Sequence, residues 1–391
     1  MTKFNILYFA FVSDHFGGVE QKIIGQFDAL NNINNNTHLY FVSSSVPNEK
    51  LKSEIKARDK VQSLVNTMVN NAFSRRKEKF EFITNELKKF SPLDTVIYFR
   101  YPNADFLFLD FLKKNSEYKI VTEHQEFENT FLKYKFNGNY LRNILELFYG
   151  KKVRMYINGF VGVTSEIIDF QFRILGNSNV KSLYLGNGIS VDKYKLRKPI
   201  ENNKTKLNIL FVGAGYKTHG LHRLLFSLKK HISLARPKEN IQIFIVGDSN
   251  EMIYNKNIVR RLNLQDIVTF KGFLQGEELD ALYDWATLGT GSLAIGRKGL
   301  KYTSELKARE YLSRGLPFFW STIDEDIQES TGFILFLEED VPLNFQRILE
   351  FNRGINQNEI ATKMRAFANA NLDFSVKMNK LNKFLYEILR S

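Results

Sequence analysis

Short apolar runs alternate with longer amphipathic ones along the whole chain. In the first half the apolar runs are "KFNILYFAFV", "HLYFVSSS", "DTVIYFRYP", "YKIVTEH", "GFVGVTS" and "VKSLYLGNG". In the second they are "KLNILFVGAG", "IQIFIVGD", "IVTFKGF", "TLGTGSL", "LPFFWST" and "GFILFLE". Such runs are strand signals, and strands alternating with helical periodicity specify a parallel sheet covered by helices. The halves open alike, with Lys-x-Asn-Ile-Leu at 3–7 and again at 206–210. Each half is therefore expected to begin on the central strand of its own doubly wound, Rossmann-like α/β sheet.

The polar stretch "ISVDKYKLRKPIENNKTK" follows Asn187-Gly188 and contains Pro199, which marks a boundary. The expected organisation is a first domain over 1–190, a linker over 191–206 and a second domain over 207–370. An amphipathic helix over 371–391 follows, able to cross back to the first domain. Open α/β sheets bind ligands outside the carboxyl ends of their strands, so two such sheets facing a cleft place the site residues just after strands.

Composition changes this picture in two ways. The chain has 391 residues, enough for two cores, and it contains no cysteine, which excludes disulfides and thiolate metal sites and suits a reducing cytoplasm. The N-terminal "MTKFNILYFAFVSDHFGG" resembles a short signal peptide, but Asp14 and His15 end its apolar run and it reads as a strand. No apolar run has the length a membrane span needs. Net charge is +13, which points to an anionic partner. Part of that charge lies in "KLKSEIKARDK" and "SRRKEKFEFITNELKK", between Lys50 and Lys89. This is either a solvated helical face or a patch for an anionic membrane. No RNA-binding aromatic motif or zinc finger is present, so nucleic acid is not the expected partner.

Glycines after strands supply the candidate chemistry. Gly17-Gly18 lets backbone N–H groups approach an anion at a helix N-terminus, or is simply a tight turn. "VGAGYKTHGLHRLL" repeats the pattern with Gly213 and Gly215, and adds Lys217 and Arg223 where a diphosphate would lie. His219 and His222 are three apart but have no carboxylate or cysteine beside them, so no metal is expected. Gly247, Gly272 and Phe273 follow further strands and allow a flat base to reach backbone amides. In "SELKAREYLSRGLPF", Ser304 is a plausible N-cap, Gly315 a stop, and Pro317 prevents continuation. Arg297, Lys301 and Lys307 are expected around the start of that helix, with Lys307 and Glu310 on one face and Arg309 about 100° from Glu310. A cation there suits phosphate, and a carboxylate one turn on suits a ribose diol. Glu310 and Arg314, four apart, are also placed to pair in solvent.

In order along the chain, "LGNG", "HGLHR", "IVGD", "VTFKGF", "LDALYDWA", "GSLAIGRKGL" and "SELKAREYLSRGLPF" carry a resemblance. The chain resembles GT-B glycosyltransferases of family four, of the kind found in bacterial capsule and exopolysaccharide gene clusters. "FGGVEQ", "VIYFRYP" and "VTEH" are similar to the family less distinctively. The resemblance implies sugar transfer from a nucleotide sugar to a saccharide acceptor, polyprenyl-diphosphate-linked, at the inner face of the cell membrane. It needs no cofactor and no metal, and it favours retention of configuration. It implies that Glu310, matching the second Glu of the family's Glu-seven-residues-Glu motif, holds the ribose. The first Glu of that motif is Tyr302 here, and the usual Arg and Lys for the diphosphate become Ala214 and His219. Their role passes to Lys217, Arg223, Arg297 and Lys307. His124 matches the first-domain His beside the donor sugar, while Glu123 or Glu126 is a candidate base for an inverting route. Asp324 and Asp326 have the spacing of a manganese motif but read as a surface turn. A nucleotide-sugar epimerase, a phosphorylase-like enzyme and a non-catalytic polyanion-binding protein are the rival readings.

Overall fold

The computed structural model describes residues 4–12, 16–43, 46–65, 71–128, 140–177, 179–200, 205–234, 240–339 and 341–391. It divides into two units, Met1–Gly188 with Phe374–Ser391, and Ile189–Asp373.

The first unit holds seven parallel strands: β1 Asn5–Phe11, β2 Thr37–Ser43, β3 Val61–Val65, β4 Thr95–Arg100, β5 Lys119–His124, β6 Gly159–Gly162 and β7 Lys181–Tyr184. Their order is β3-β2-β1-β4-β5-β6-β7, so the chain reverses direction across the sheet between β1 and β4. Between the strands run α1 Gly18–Ile33, α2 Glu49–Lys56, α3 Ala72–Leu87, α4 Phe106–Lys114, α5 Tyr140–Arg154 and α6 Ser165–Leu175. Helices cover both faces, which is why β1 reads as an unbroken apolar run. Ile6, Tyr8 and Ala10 enter one core, Leu7 and Phe9 the other.

One strand escaped the apolar pattern. β3 is "VQSLV", set inside the basic stretch, and pairs with β2 through Leu39 and Val61. The edge position explains the weak signal, since Gln62 is exposed and Ser63 half-buried.

The second unit has β8 Lys206–Val212, β9 Asn240–Val246, β10 Val268–Gly272, β11 Leu288–Thr290, β12 Phe318–Trp320 and β13 Ile334–Phe336, in the order β10-β9-β8-β11-β12-β13. Its helices are α7 Leu221–Leu234, α8 Asn250–Arg261, α9 Gly276–Trp285, α10 Leu306–Arg314, α11 Phe345–Gly354 and α12 Gln357–Asn371. The expected linker is anchored rather than free. Arg197 donates to Ala286 O at 2.9 Å and to Gln357 Oε1 at 2.6 Å, both in the second unit.

The last helix, α13 Phe374–Leu389, belongs to the first unit. Met378, Leu381, Leu385 and Ile388 recur at helical spacing and are buried in the core beside α1 and β1. Gly25 of α1 makes room for it, because a Cβ there would stand 2.4 Å from the Phe374 ring. Leu385→Ala is therefore expected to lower the stability of the first unit by about 2–5 kcal/mol. Denaturant unfolding should show the loss in that unit's transition, and an unchanged transition would detach α13 from its core.

Candidate functional site

The second sheet reverses between β8 and β11, and that switch point is where an open α/β sheet offers a ligand site. Three segments meet there. Phe211 comes from the end of β8, Gly291 and Ser292 follow β11, and α10 begins with Glu305 as its N-cap. The cap is thus one residue later than the expected Ser304. Glu305 Oε2 accepts from Ser292 N–H at 3.2 Å and faces Lys307 Nζ at 3.6 Å. Lys307 Nζ also lies 5.0 Å from the centre of the Phe211 ring. Both side chains are only 11% exposed, yet Glu305 Oε1 and Lys307 Nζ have no hydrogen-bond partner among the described residues. Burial pushes the Lys307 ammonium below its ordinary pKa, and Glu305 opposes that shift. A buried cation and a buried carboxylate oxygen with unused capacity, at a switch point, form a site ready for a polar ligand.

Glu305 was not among the candidates. Its signal was present as an acidic residue three positions past Tyr302 and two before Lys307, but only the fold shows that it folds back on Ser292. Tyr302 itself is held in a backbone bridge to Ile323.

Other expected donor contacts fare differently. Gly213 and Gly247 spend their own N–H groups on Val246 O at 2.9 Å and Gly272 O at 2.8 Å. Gly247 must be glycine because the two loops touch, since a Cβ there would fall 2.0 Å from Gly213 O; both residues also have positive φ. Gly215 packs on Met252. Gly272 has φ +71° with open space around it, and Phe273 beside it is 71% exposed, so this edge keeps an accessible aromatic face. Lys217, Arg297 and Lys301 are exposed. Arg223 acts as a clamp on the backbone of neighbouring loops. Its guanidinium donates to Leu293 O, to Ser321 Oγ at 3.1 Å, to Glu338 O at 2.8 Å and to Val341 O at 2.6 Å.

Glu310 does pair with Arg314, at 2.8 Å, but away from solvent, and Arg314 reaches on to Asp280 at 2.6 Å. Burial raises the Glu310 pKa and Arg314 counters it. Asp324 and Asp326 are not a free surface turn. Asp324 is buried, and both carboxylates bind Arg309, which is fully buried. Among the described residues no group of three or more His, Asp or Glu is placed to hold a metal ion.

In the first unit Gly17 N–H is already taken by Glu20 Oε2 at 2.9 Å, a capping interaction rather than an anion site, and Gly18 is the first, exposed residue of α1. Glu123, next to last in β5, is a buried carboxylate accepting from Lys22 at 3.1 Å, Gln26 at 3.0 Å and Tyr8 at 3.4 Å. Burial alone would raise its pKa, but Lys22 and Arg100 outweigh that and hold it low. His124 is not an open loop residue. Its Nδ1 lies 2.5 Å from Glu128 and its Nε2 2.8 Å from Thr122 Oγ1, with the Tyr101 ring tilted against it at 4.4 Å between centres. Glu128 passes the network to Arg154 at 3.2 Å, and Arg154 to Glu146 at 2.7 Å. Glu126, the other candidate base, is half-buried.

Two expectations follow for the second unit. Arg309→Ala strands two carboxylates and should destabilise the unit by about 3–5 kcal/mol in thermal or denaturant unfolding. His222 is pushed down to about 4 by burial, with Arg297 and Arg223 adding to the shift. The unfolded chain therefore takes up its proton first, and stability falls as pH drops from about 6.5 to about 4. Since His222 is half-exposed, the effect should be on the order of 1 kcal/mol. His222→Asn should remove that part of the acid loss in paired pH melts.

Residues 192–288 match the family model described as glycosyl transferases group 1. No curated protein sequence matches the chain. Among solved structures, the chain is similar to a glycosyltransferase from Rickettsia africae ESF-5, with TM-score 0.69 and 14% identity over 99% of both chains. It is similar to Thermosynechococcus elongatus sucrose-phosphate synthase, with TM-score 0.70 and 14% identity over 99% of this chain and 100% of that one. Anabaena HepE, solved with UDP and glucose, matches with TM-score 0.67 and 14% identity over 98% of this chain and 99% of that one. The matched segment lies in the second unit, and the chain shares its fold with these solved structures.

Proposed function

We propose that the second unit binds a nucleoside diphosphate sugar at the β8/β11 switch point and passes the sugar to a lipid-linked saccharide, in the synthesis of a cell-surface glycan. The observation that carries this reading is the buried Glu305–Lys307 pair with unused hydrogen-bonding capacity. Lys307 is assigned to the diphosphate. Its charge, poorly solvated in the free protein, gains most when negative charge develops on the leaving group, which is the differential stabilisation catalysis needs. That role requires no metal. Glu305 is assigned to the donor sugar, supplying the carboxylate that Tyr302 does not. The base is given the edge at Gly272 and Phe273, and Glu310 the ribose.

Retention of configuration is the reading adopted. An inverting route through Glu123 would need a carboxylate free to take a proton, and Lys22, Gln26 and Tyr8 already occupy that one. HepE was solved with UDP and glucose, which makes UDP the first nucleotide to try. The acceptor side rests on the resemblance and on the +13 charge, which suits a peripheral position on an anionic membrane. No helix among the described residues is long and apolar enough to cross one.

Calorimetric titration with UDP, GDP and ADP, and with the matching nucleosides, tests the assignment. Lys307→Met should weaken the preferred diphosphate by about tenfold to a hundredfold, the worth of one charge-assisted hydrogen bond, and leave the nucleoside unchanged. A folded Lys307→Met variant that binds the diphosphate like wild type would remove Lys307 from the site.

A further inference from the structure

Helix α5 of the first unit buries Asn143, Glu146, Gly150, Val153 and Arg154 and turns its other face outward. That outward face is apolar. Leu141 and Phe148 are each 70% exposed, Met155 just beyond the helix is 66% exposed, and Ile144 is 43% exposed. At 100° per residue these four positions fall within an arc of about 60°, so they form one stripe. The stripe continues sideways. Tyr149 leads to Phe106 at 6.3 Å between ring centres, and Phe106 stacks on exposed Phe73 at 5.3 Å.

The polar side chains beside this stripe are cationic. Arg142, Lys151 and Lys152 are exposed, and Lys152 Nζ lies 5.8 Å from the centre of the Tyr149 ring. Glu146 is the helix's single acid, and it is buried against Arg154. The basic 50–89 stretch is different. There Lys52, Arg58, Arg76, Lys77 and Lys89 each pair with a nearby carboxylate. The α5 cations differ in standing directly beside exposed apolar side chains.

We propose that the outward face of α5, with Phe73 and Phe106, is a docking surface for an anionic lipid bilayer. The apolar stripe enters the boundary between headgroups and acyl chains, and Arg142, Lys151 and Lys152 meet lipid phosphates. A second copy of the chain fits worse, because a symmetric contact over α5 would bring these cations together with no acid on the face to meet them. Phe73, Phe106 and Leu141 sit at the starts of helices that follow β3, β4 and β5. Docking therefore brings the carboxyl end of the first sheet to the lipid surface, and this deepens, and rests on, the lipid-linked acceptor proposed above.

Sedimentation with phosphatidylglycerol/phosphatidylcholine vesicles and with pure phosphatidylcholine vesicles tests it, with UDP titration on the same samples. Wild type should partition into the anionic vesicles and be released by salt. Phe148→Glu with Met155→Glu, and separately Lys151→Glu with Lys152→Glu, should each lower partitioning at least tenfold with melting and UDP affinity unchanged. Folded variants that sediment like wild type would overturn the proposal. So would wild type that binds both vesicles equally or neither, or a wild-type dimer that Phe148→Glu turns into a monomer. Failed vesicle binding with intact UDP binding sinks the docking surface alone. Failed binding of UDP, GDP and ADP with intact docking sinks the donor reading instead.

Discussion

Burying both faces of a parallel sheet constrains everything polar in this protein. The interior of each sheet admits almost only apolar side chains, so ionisable groups collect where the strands end and the backbone has unpaired groups to offer. A charge placed there is stable only if something pairs with it. Arg309 has two carboxylates, Arg154 has two, and Arg314 has Glu310 and Asp280. In these networks each arginine is used up in holding adjacent elements together. Lys307 is an exception, because its carboxylate stands 3.6 Å away and is itself half-engaged by Ser292. Desolvation left partly uncompensated in the protein alone is compensated when an anion arrives.

The same distinction sorts what was legible in the sequence. Twelve apolar runs marked twelve of the strands; the central ones are buried on both faces and apolar throughout, while the edge strands β7 and β10 keep enough apolar residues to be seen although partly exposed. The lost strand, β3, also lies at an edge, and its Gln62 and Ser63 interrupt the apolar run. Glycine positions were legible too, but their purpose was not. Gly247 looked like an opening for a ligand, but the loop at Gly213 passes so close that a Cβ on Gly247 would meet Gly213 O. Sequence spacing gives no sign of which neighbour a missing side chain makes room for.

Charged residues were the hardest to read, because a charge's availability depends on partners far away in sequence. Arg223 had the right position for a diphosphate, but carbonyls of Leu293, Glu338 and Val341 converge on it. His124 was found at the end of its strand, yet Glu128 and Thr122 close both of its nitrogens. Glu305 shows the opposite case. It has no place in the familiar spacing, and becomes a candidate only because the turn before α10 folds its carboxylate onto Ser292.

Net charge raises the same problem on a larger scale. An excess of thirteen positive charges says that an anionic surface will attract the protein, without saying which face it meets. Part of the densest basic stretch in the sequence is neutralised by its own helices' carboxylates and by Asp28 and Asp105. Helix α5 carries fewer cations, but they stand beside exposed apolar side chains with no acid among them. Attraction at long range is set by the sum of the charges, whereas adhesion needs unpaired charge and apolar surface in one place. On that criterion the face of α5, rather than the most basic segment, is the part of the first unit suited to rest on lipid.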